Sequence, residues 1–141
     1  MEFSCQYLGF FRSRTLMEAG TIVQLPELLE PGSPFCRHMK SLRVMGTLES
    51  FDVESGVAHI RHEGAKLAVD TTLLRDIHLR PGSLYQFIGE LLLQNGMMLR
   101  ARVARNVDGL DVKLYEKALR LRRIFQEQRA TLDRSNEREM R

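Results

Sequence analysis

The stretch Ser83-Leu-Tyr-Gln-Phe-Ile-Gly-Glu-Leu-Leu92, then Gln94-Asn95-Gly96, then Met97-Met-Leu-Arg-Ala-Arg-Val103 decides the fold. Its first part is almost continuously apolar, as in a central strand covered on both sides. Asn95-Gly96 predicts a tight hairpin, because a type I′ turn needs positive φ at both central positions. The second part alternates, with Leu99, Ala101 and Val103 expected inward and Met98, Arg100 and Arg102 outward. Directly after it, one long basic helix is predicted over residues 111–134.

Upstream, the period-two pattern recurs. Leu42, Val44, Gly46 and Leu48 share one face, and Arg43, Met45, Thr47 and Glu49 share the other. Gly46 within this run predicts a bulge or a sharp bend. Glu54-Ser55-Gly56 is a turn, residues 57–61 a second strand, Glu63-Gly64 another turn and residues 65–69 a third strand. Asp70-Thr-Thr-Leu-Leu-Arg75 reads as a brief helix with Asp70 as its N-cap. Leu79-Arg-Pro-Gly82 turns the chain into the central strand. Three strands, a short helix, two strands and a helix is the order of an all-β domain with helices: a five-stranded Greek-key OB-fold barrel with a long C-terminal helix. Pro26, Pro31 and Pro34 mark residues 20–40 as loop, with residues 22–29 expected to cap one barrel end. The organisation is therefore an extension over 1–18, a barrel over 19–108, an interaction helix over 109–134 and a charged tail over 135–141 that should fray.

At 141 residues the chain has room for one core. Its apolar share of 43% and charged share of 28% are those of a globular domain. No apolar run approaches the roughly 20 residues of a spanning helix, so no membrane partner is expected. In the first sixteen residues Arg12 and Arg14 follow the apolar cluster, the reverse of a secretory leader; the bland expectation is a disordered extension, with Met17 as a natural start and a mitochondrial presequence as the weaker alternative. Cys5 and Cys36 lack metal spacing and read as idle thiols of a reducing compartment, cytosol or nucleus. A net charge of +3 is too small for a tight free-standing nucleic-acid binder.

The charge is concentrated in the helix. Between Lys113 and Arg129 six basic residues face two acidic ones. On the helical period Leu114, Ala118, Leu121, Phe125 and Leu132 form one stripe, while Val112, Tyr115 and Leu119 lie on a flank. A helix that plugs its own barrel needs a single stripe. Two readings follow: both faces are absorbed at home, or one packs at home and the other docks a partner helix.

Arg43, Arg61, Lys66, Arg100, Arg102 and Arg105 put positive charge on the strands. OB-folds bind single strands with a positive groove and aromatic platforms. Here the aromatics are few: Tyr85 and Phe87 share one strand face, Phe51 ends another strand, and there is no tryptophan. Arg61, Lys66, Tyr85, Arg100 and Arg102 are the candidates for single-stranded DNA contact, against the alternative of solvated strand faces. His59 and His62, three apart on a strand, point to opposite faces, so no metal is expected. No phosphate loop, Ser/His/Asp set or carboxylate pair is present, and neither an enzyme nor a cofactor is expected.

Gly82-Ser-Leu-Tyr, Ile88-Gly-Glu-Leu, Arg100-Ala-Arg-Val, Val107-Asp-Gly-Leu and Leu114-Tyr-Glu-Lys-Ala-Leu-Arg together closely resemble vertebrate members of the Ten-one family, the small subunits of the telomeric CST complex. Gly20-Thr-Ile-Val-Gln-Leu-Pro-Glu-Leu and Ser41-Leu-Arg-Val-Met-Gly-Thr-Leu look like that family's lead-in segment and first strand. The resemblance covers about residues 19–130. It implies a nuclear, chromosomal, non-enzymatic OB-fold protein at telomeres. Such a protein pairs with the OB domain of the Stn-one subunit through C-terminal helices, as the small subunit of replication protein A pairs with its neighbour. It also implies a large third CST subunit and telomeric single-stranded DNA bound mainly through the complex. Limited telomerase action and fill-in synthesis by polymerase α–primase, an indirect partner, follow from the same resemblance. Carried over by position, the family's aromatic and basic helix contacts fall on Phe125 and Arg129 and its first-strand arginine on Arg43. With the stripe, the expected partner interface is Leu114, Ala118, Leu121, Arg122, Phe125, Arg129 and Arg43. The alternative function is a stand-alone OB-fold binder of single-stranded nucleic acid.

Overall fold

Alternating apolar residues close the strands into a barrel. The computed structural model describes residues 20–141; the expectations for the N-terminal extension, Cys5 and Met17 lie outside the described residues. The element order is β1 (Thr21–Ile22), α1 (Leu25–Leu29), β2 (Ser41–Asp52), β3 (Val57–His62), β4 (Ala65–Asp70), β5 (Leu84–Leu92), β6 (Met98–Asn106) and α2 (Val112–Glu139). Two compact units result, one ending at Asp108 and one spanning Gly109–Arg141.

In the first unit the sheet order is β1-β2-β3-β4-β6-β5, and β2 also pairs with β5. Strand β2 closes the circle by serving two neighbours. Its residues Ser41 to Thr47 pair with β5 and Thr47 to Asp52 pair with β3. The β4–β6 pairing is parallel and the other barrel pairings are antiparallel. This is the five-stranded OB barrel, with the short β1 added in parallel to β2. The core holds Leu42, Val44, Leu48, Ile60, Val69, Phe87, Leu91 and Leu99, together with Leu25 and Leu28 of α1. Helix α1 is the expected barrel cap. A reciprocal box starts it: the Gln24 N–H donates to Glu27 Oε1 at 2.7 Å.

Five expectations are corrected. Asp70 starts no helix. Its Oδ1 accepts from the Thr72 N–H at 2.9 Å, an Asx turn. The Thr71 N–H and hydroxyl both donate to the Gly56 carbonyl, which holds the first would-be helical residue against the turn between β2 and β3. The Asn95-Gly96 hairpin forms without a two-residue type I′ turn: Leu92 pairs with Met98, and Gly96 takes φ 85° while Asn95 does not join it at positive φ. The tight turn with two positive φ values is Glu63-Gly64, at 48° and 82°, between the paired His62 and Ala65.

Val103 does not face inward; it is 42% exposed. Ile88 pairs with Val103 but Gly89 pairs with Ala101, so Arg102 is a bulge residue and the facing of β6 slips by one. Ala104 packs on the core instead. Gly89 permits this crowding, since a Cβ there would overlap the Arg100 carbonyl. Gly46 is also crowded, its would-be Cβ lying 3.1 Å from the Arg61 carbonyl oxygen, but the register shift of β2 falls between Leu48 and Ser50.

The second unit is the long helix, N-capped by Asp111, whose Oδ1 accepts from the Leu114 N–H at 3.1 Å. It does not end at Arg134; it runs through the charged stretch to Glu139. Thr131, Arg134 and Ser135 return their side-chain donors to carbonyls four residues earlier, which satisfies polar groups inside the helix.

Candidate partner-binding and nucleic-acid surfaces

The exit from the barrel is pinned by Asp108. Its carboxylate accepts from the Leu84 N–H at 2.8 Å, and the Val107 N–H donates to the Leu84 carbonyl at 2.9 Å. The Leu84 N–H first, then the Ser83 hydroxyl, hold this carboxyl below the usual aspartate range. Beyond it, Gly109 at φ 86° turns the chain toward the Asp111 cap.

Along α2 the predicted stripe is open. Leu114 is 62% exposed, Leu121 51%, Phe125 72% and Leu132 64%. Ala118 on the same stripe is exposed, as are the neighbouring Arg122 and Arg129. Within the helix Leu119 is buried, and Val112 and Tyr115 on its flank are half-buried. The two faces predicted from the sequence are thus distinct in exposure. An exposed phenylalanine between leucines leaves roughly 1.5–3 kcal/mol of burial unrealised for each large side chain.

The strand charges are differently placed. On β2, Arg43 is half-buried and paired in register with Ile88. Arg61 and Lys66 both lean on Glu49, at 3.2 and 3.6 Å. Arg102 binds Glu90 at 2.7 Å and reaches the Ser41 hydroxyl at 3.4 Å. Arg100 is paired in register with Glu90 across the sheet, and its Nε is buried without a hydrogen-bond partner among the described residues. Arg61, Lys66 and Arg102 are therefore committed to carboxylates of the same sheet. Sequence reasoning missed Glu49 and Glu90; their signal was the outward position of each on a strand beside those cations.

Tyr85 is corrected as a stacking platform. It is 5% exposed, its ring lies 6.1 Å from Phe87, and its hydroxyl accepts from the Arg80 N–H at 2.8 Å. A base cannot stack on a ring enclosed in the core. A depression of about 600 Å³ lies where residues 77–81 border β5 and β6, and its titratable side chains are His78, Arg80 and Tyr85. Among the described residues its lining holds no carboxylate or thiol. No described helix is long and apolar enough to cross a membrane.

Comparison with known proteins adds an independent finding. The family model described as "Telomere-capping, CST complex subunit" matches residues 16–129. The chain is 40% identical over 116 residues to CST complex subunit TEN1 of Arabidopsis thaliana, covering 80% of this chain and 91% of that one. It is 34% identical over 95 residues to CST complex subunit TEN1 of Homo sapiens, covering 63% of this chain and 77% of that one. Among solved structures, it superposes on a chain of the S. pombe Stn1–Ten1 complex with a TM-score of 0.62 at 15% identity, over 75% of this chain and 93% of that chain. That likeness supports the barrel architecture.

Proposed function

The chain belongs to the Ten1 family of telomere-capping CST complex subunits, and from that premise we propose that it is the small, non-catalytic subunit of such a complex and pairs with Stn1 through α2. The observation that carries this reading is the open stripe Leu114, Ala118, Leu121, Phe125 and Leu132 on a helix whose buried residue, Leu119, lies on another face. Arg122 and Arg129 flank the stripe, and Arg43, half-buried on β2, is proposed as a separate partner contact of the barrel. Family membership also supports work at telomeres in the nucleus, beside a large CST subunit. Telomeric single-stranded DNA would be held mainly through the assembled complex, and polymerase α–primase met indirectly.

The stand-alone nucleic-acid reading is weaker. Glu49 and Glu90 already engage three of the strand cations, and Tyr85 is enclosed. Light scattering coupled to size exclusion tests the choice. The chain mixed with the OB domain of Stn1 is expected to elute as a one-to-one complex. Two separate monomer peaks, with submicromolar binding of a telomeric single strand by the chain alone, would reverse the conclusion.

A further inference from the structure

The stripe on α2 has a spacing that says more than that it is apolar. Leu114, Ala118, Leu121, Phe125, Gln128 and Leu132 follow one another at intervals of four, three, four, three and four residues. This is the alternation of a helix–helix seam, which recurs every 3.5 residues. The positions beside such a seam set the choice of partner, because their side chains reach across to the facing helix.

On one side of the seam these positions are Tyr115, Arg122, Arg129 and Asn136; on the other they are Lys117, Ile124, Thr131 and Arg138. No acidic residue stands at any of them. Of the acids of α2, Glu116, Glu127, Asp133 and Glu137 lie on the remaining faces, and Glu139, the last helical residue, falls one seven-residue step beyond Leu132. Lys117, Arg122 and Arg129 are exposed, as is the seam between them. A second copy of the helix, laid along this seam in either direction, brings cations against cations. A helix edged with Asp or Glu meets complementary charge at the same places.

We propose that the seam of α2 is built to accept an acid-edged helix from a different chain and to reject a second copy of itself. The proposal rests on the reading of α2 as a pairing surface and names the chemistry of its occupant. The hydrophobic positions supply the adhesion; Lys117, Arg122 and Arg129 supply the discrimination against self-pairing.

The test is a charge-swapped copy of the whole chain, Lys117→Glu/Arg122→Glu/Arg129→Glu, which keeps the seam and places good helix formers at exposed positions. Circular dichroism and a thermal melt check that it is folded. Sedimentation then compares wild type alone, variant alone and an equimolar mixture. Each protein alone is expected to be monomeric. The mixture is expected to form a one-to-one dimer, at least about tenfold tighter than either self-association, since several facing ion pairs act together. High salt should weaken it. A mixture that associates no more tightly than wild type alone would overturn the proposal, as would a wild type that already dimerises. The single variant Arg122→Glu carries the same test with a smaller effect of the same sign. Binding to the Stn1 OB domain is measured alongside. A pairing mixture with no Stn1 binding removes Stn1 as the partner and leaves this inference standing; Stn1 binding with a non-pairing mixture does the opposite.

Discussion

The barrel and the terminal helix treat apolar surface in opposite ways. In the barrel, Phe87, Leu25, Leu28, Leu42, Leu48 and Ile60 are almost wholly enclosed, and β2 shares its two edges between β3 and β5 so that the sheet closes. Closure satisfies backbone groups and removes open edges. On α2, Leu114, Leu121, Phe125 and Leu132 remain in water. One region completes itself and the other leaves its stripe open. On the proposed pairing, side chains of the same type contribute to fold stability in the first region and to association in the second.

Substitutions can break or sharpen that contrast. The largest effect belongs to the barrel. Phe87→Ala should cost about 3–5 kcal/mol of folding stability through the lost contacts and the cavity left behind, read as a lower urea midpoint. A cost within experimental error would show that the barrel is not the self-sufficient region. Next comes Phe125→Ala on the helix, expected to weaken binding of the Stn1 OB domain by roughly 1.5–3 kcal/mol in titration calorimetry while the thermal midpoint stays put. A shift of the midpoint with unchanged affinity would erase the contrast. A smaller effect is expected at Glu49, which holds Arg61 and Lys66. Glu49→Gln should cost about 0.2–1 kcal/mol of stability and raise affinity for single-stranded DNA by freeing two cations, as fluorescence anisotropy would report. Unchanged anisotropy would remove those cations from any nucleic-acid role.

The smallest effect is at Asp108. Its folded pKa is lowered by the Leu84 N–H above all, so its contribution is present above the unfolded aspartate value and fades as pH falls below about 4 through the folded one. Asp108→Asn should flatten that acid limb of the stability profile and leave partner binding near neutral pH unchanged. An unaltered acid limb would show that the barrel exit is not held by this carboxylate.

Much of the barrel was legible because its strands announce themselves by alternation: Leu42, Val44 and Leu48 on β2 are all core residues. The open stripe of α2 was legible for the same reason, on a different period. What escaped depends on distant partners. The two-residue β1 exists only because β2 lies beside it, and nothing in Thr21-Ile22 signals that. The facing of Val103 was misread because the Arg102 bulge is set by pairing with β5. Asp70 was misread because an Asx turn and an N-cap begin with the same hydrogen bond, and Thr71 settles the matter by reaching Gly56. The helix end was placed too early because charged residues that favour solvent also favour helix. Among the site residues, Tyr85 failed because its ring was counted as a platform although it belongs to the barrel core beside Phe87, an enclosure set by the strands packed around β5.

The most direct measurement is hydroxyl-radical footprinting of α2 in the chain alone and with the Stn1 OB domain. Strong labelling of Leu114, Leu121, Phe125 and Leu132 in the free protein, lost on mixing, is the result this account requires. Continued labelling of that seam in a mixture shown by mass to be a complex would contradict it.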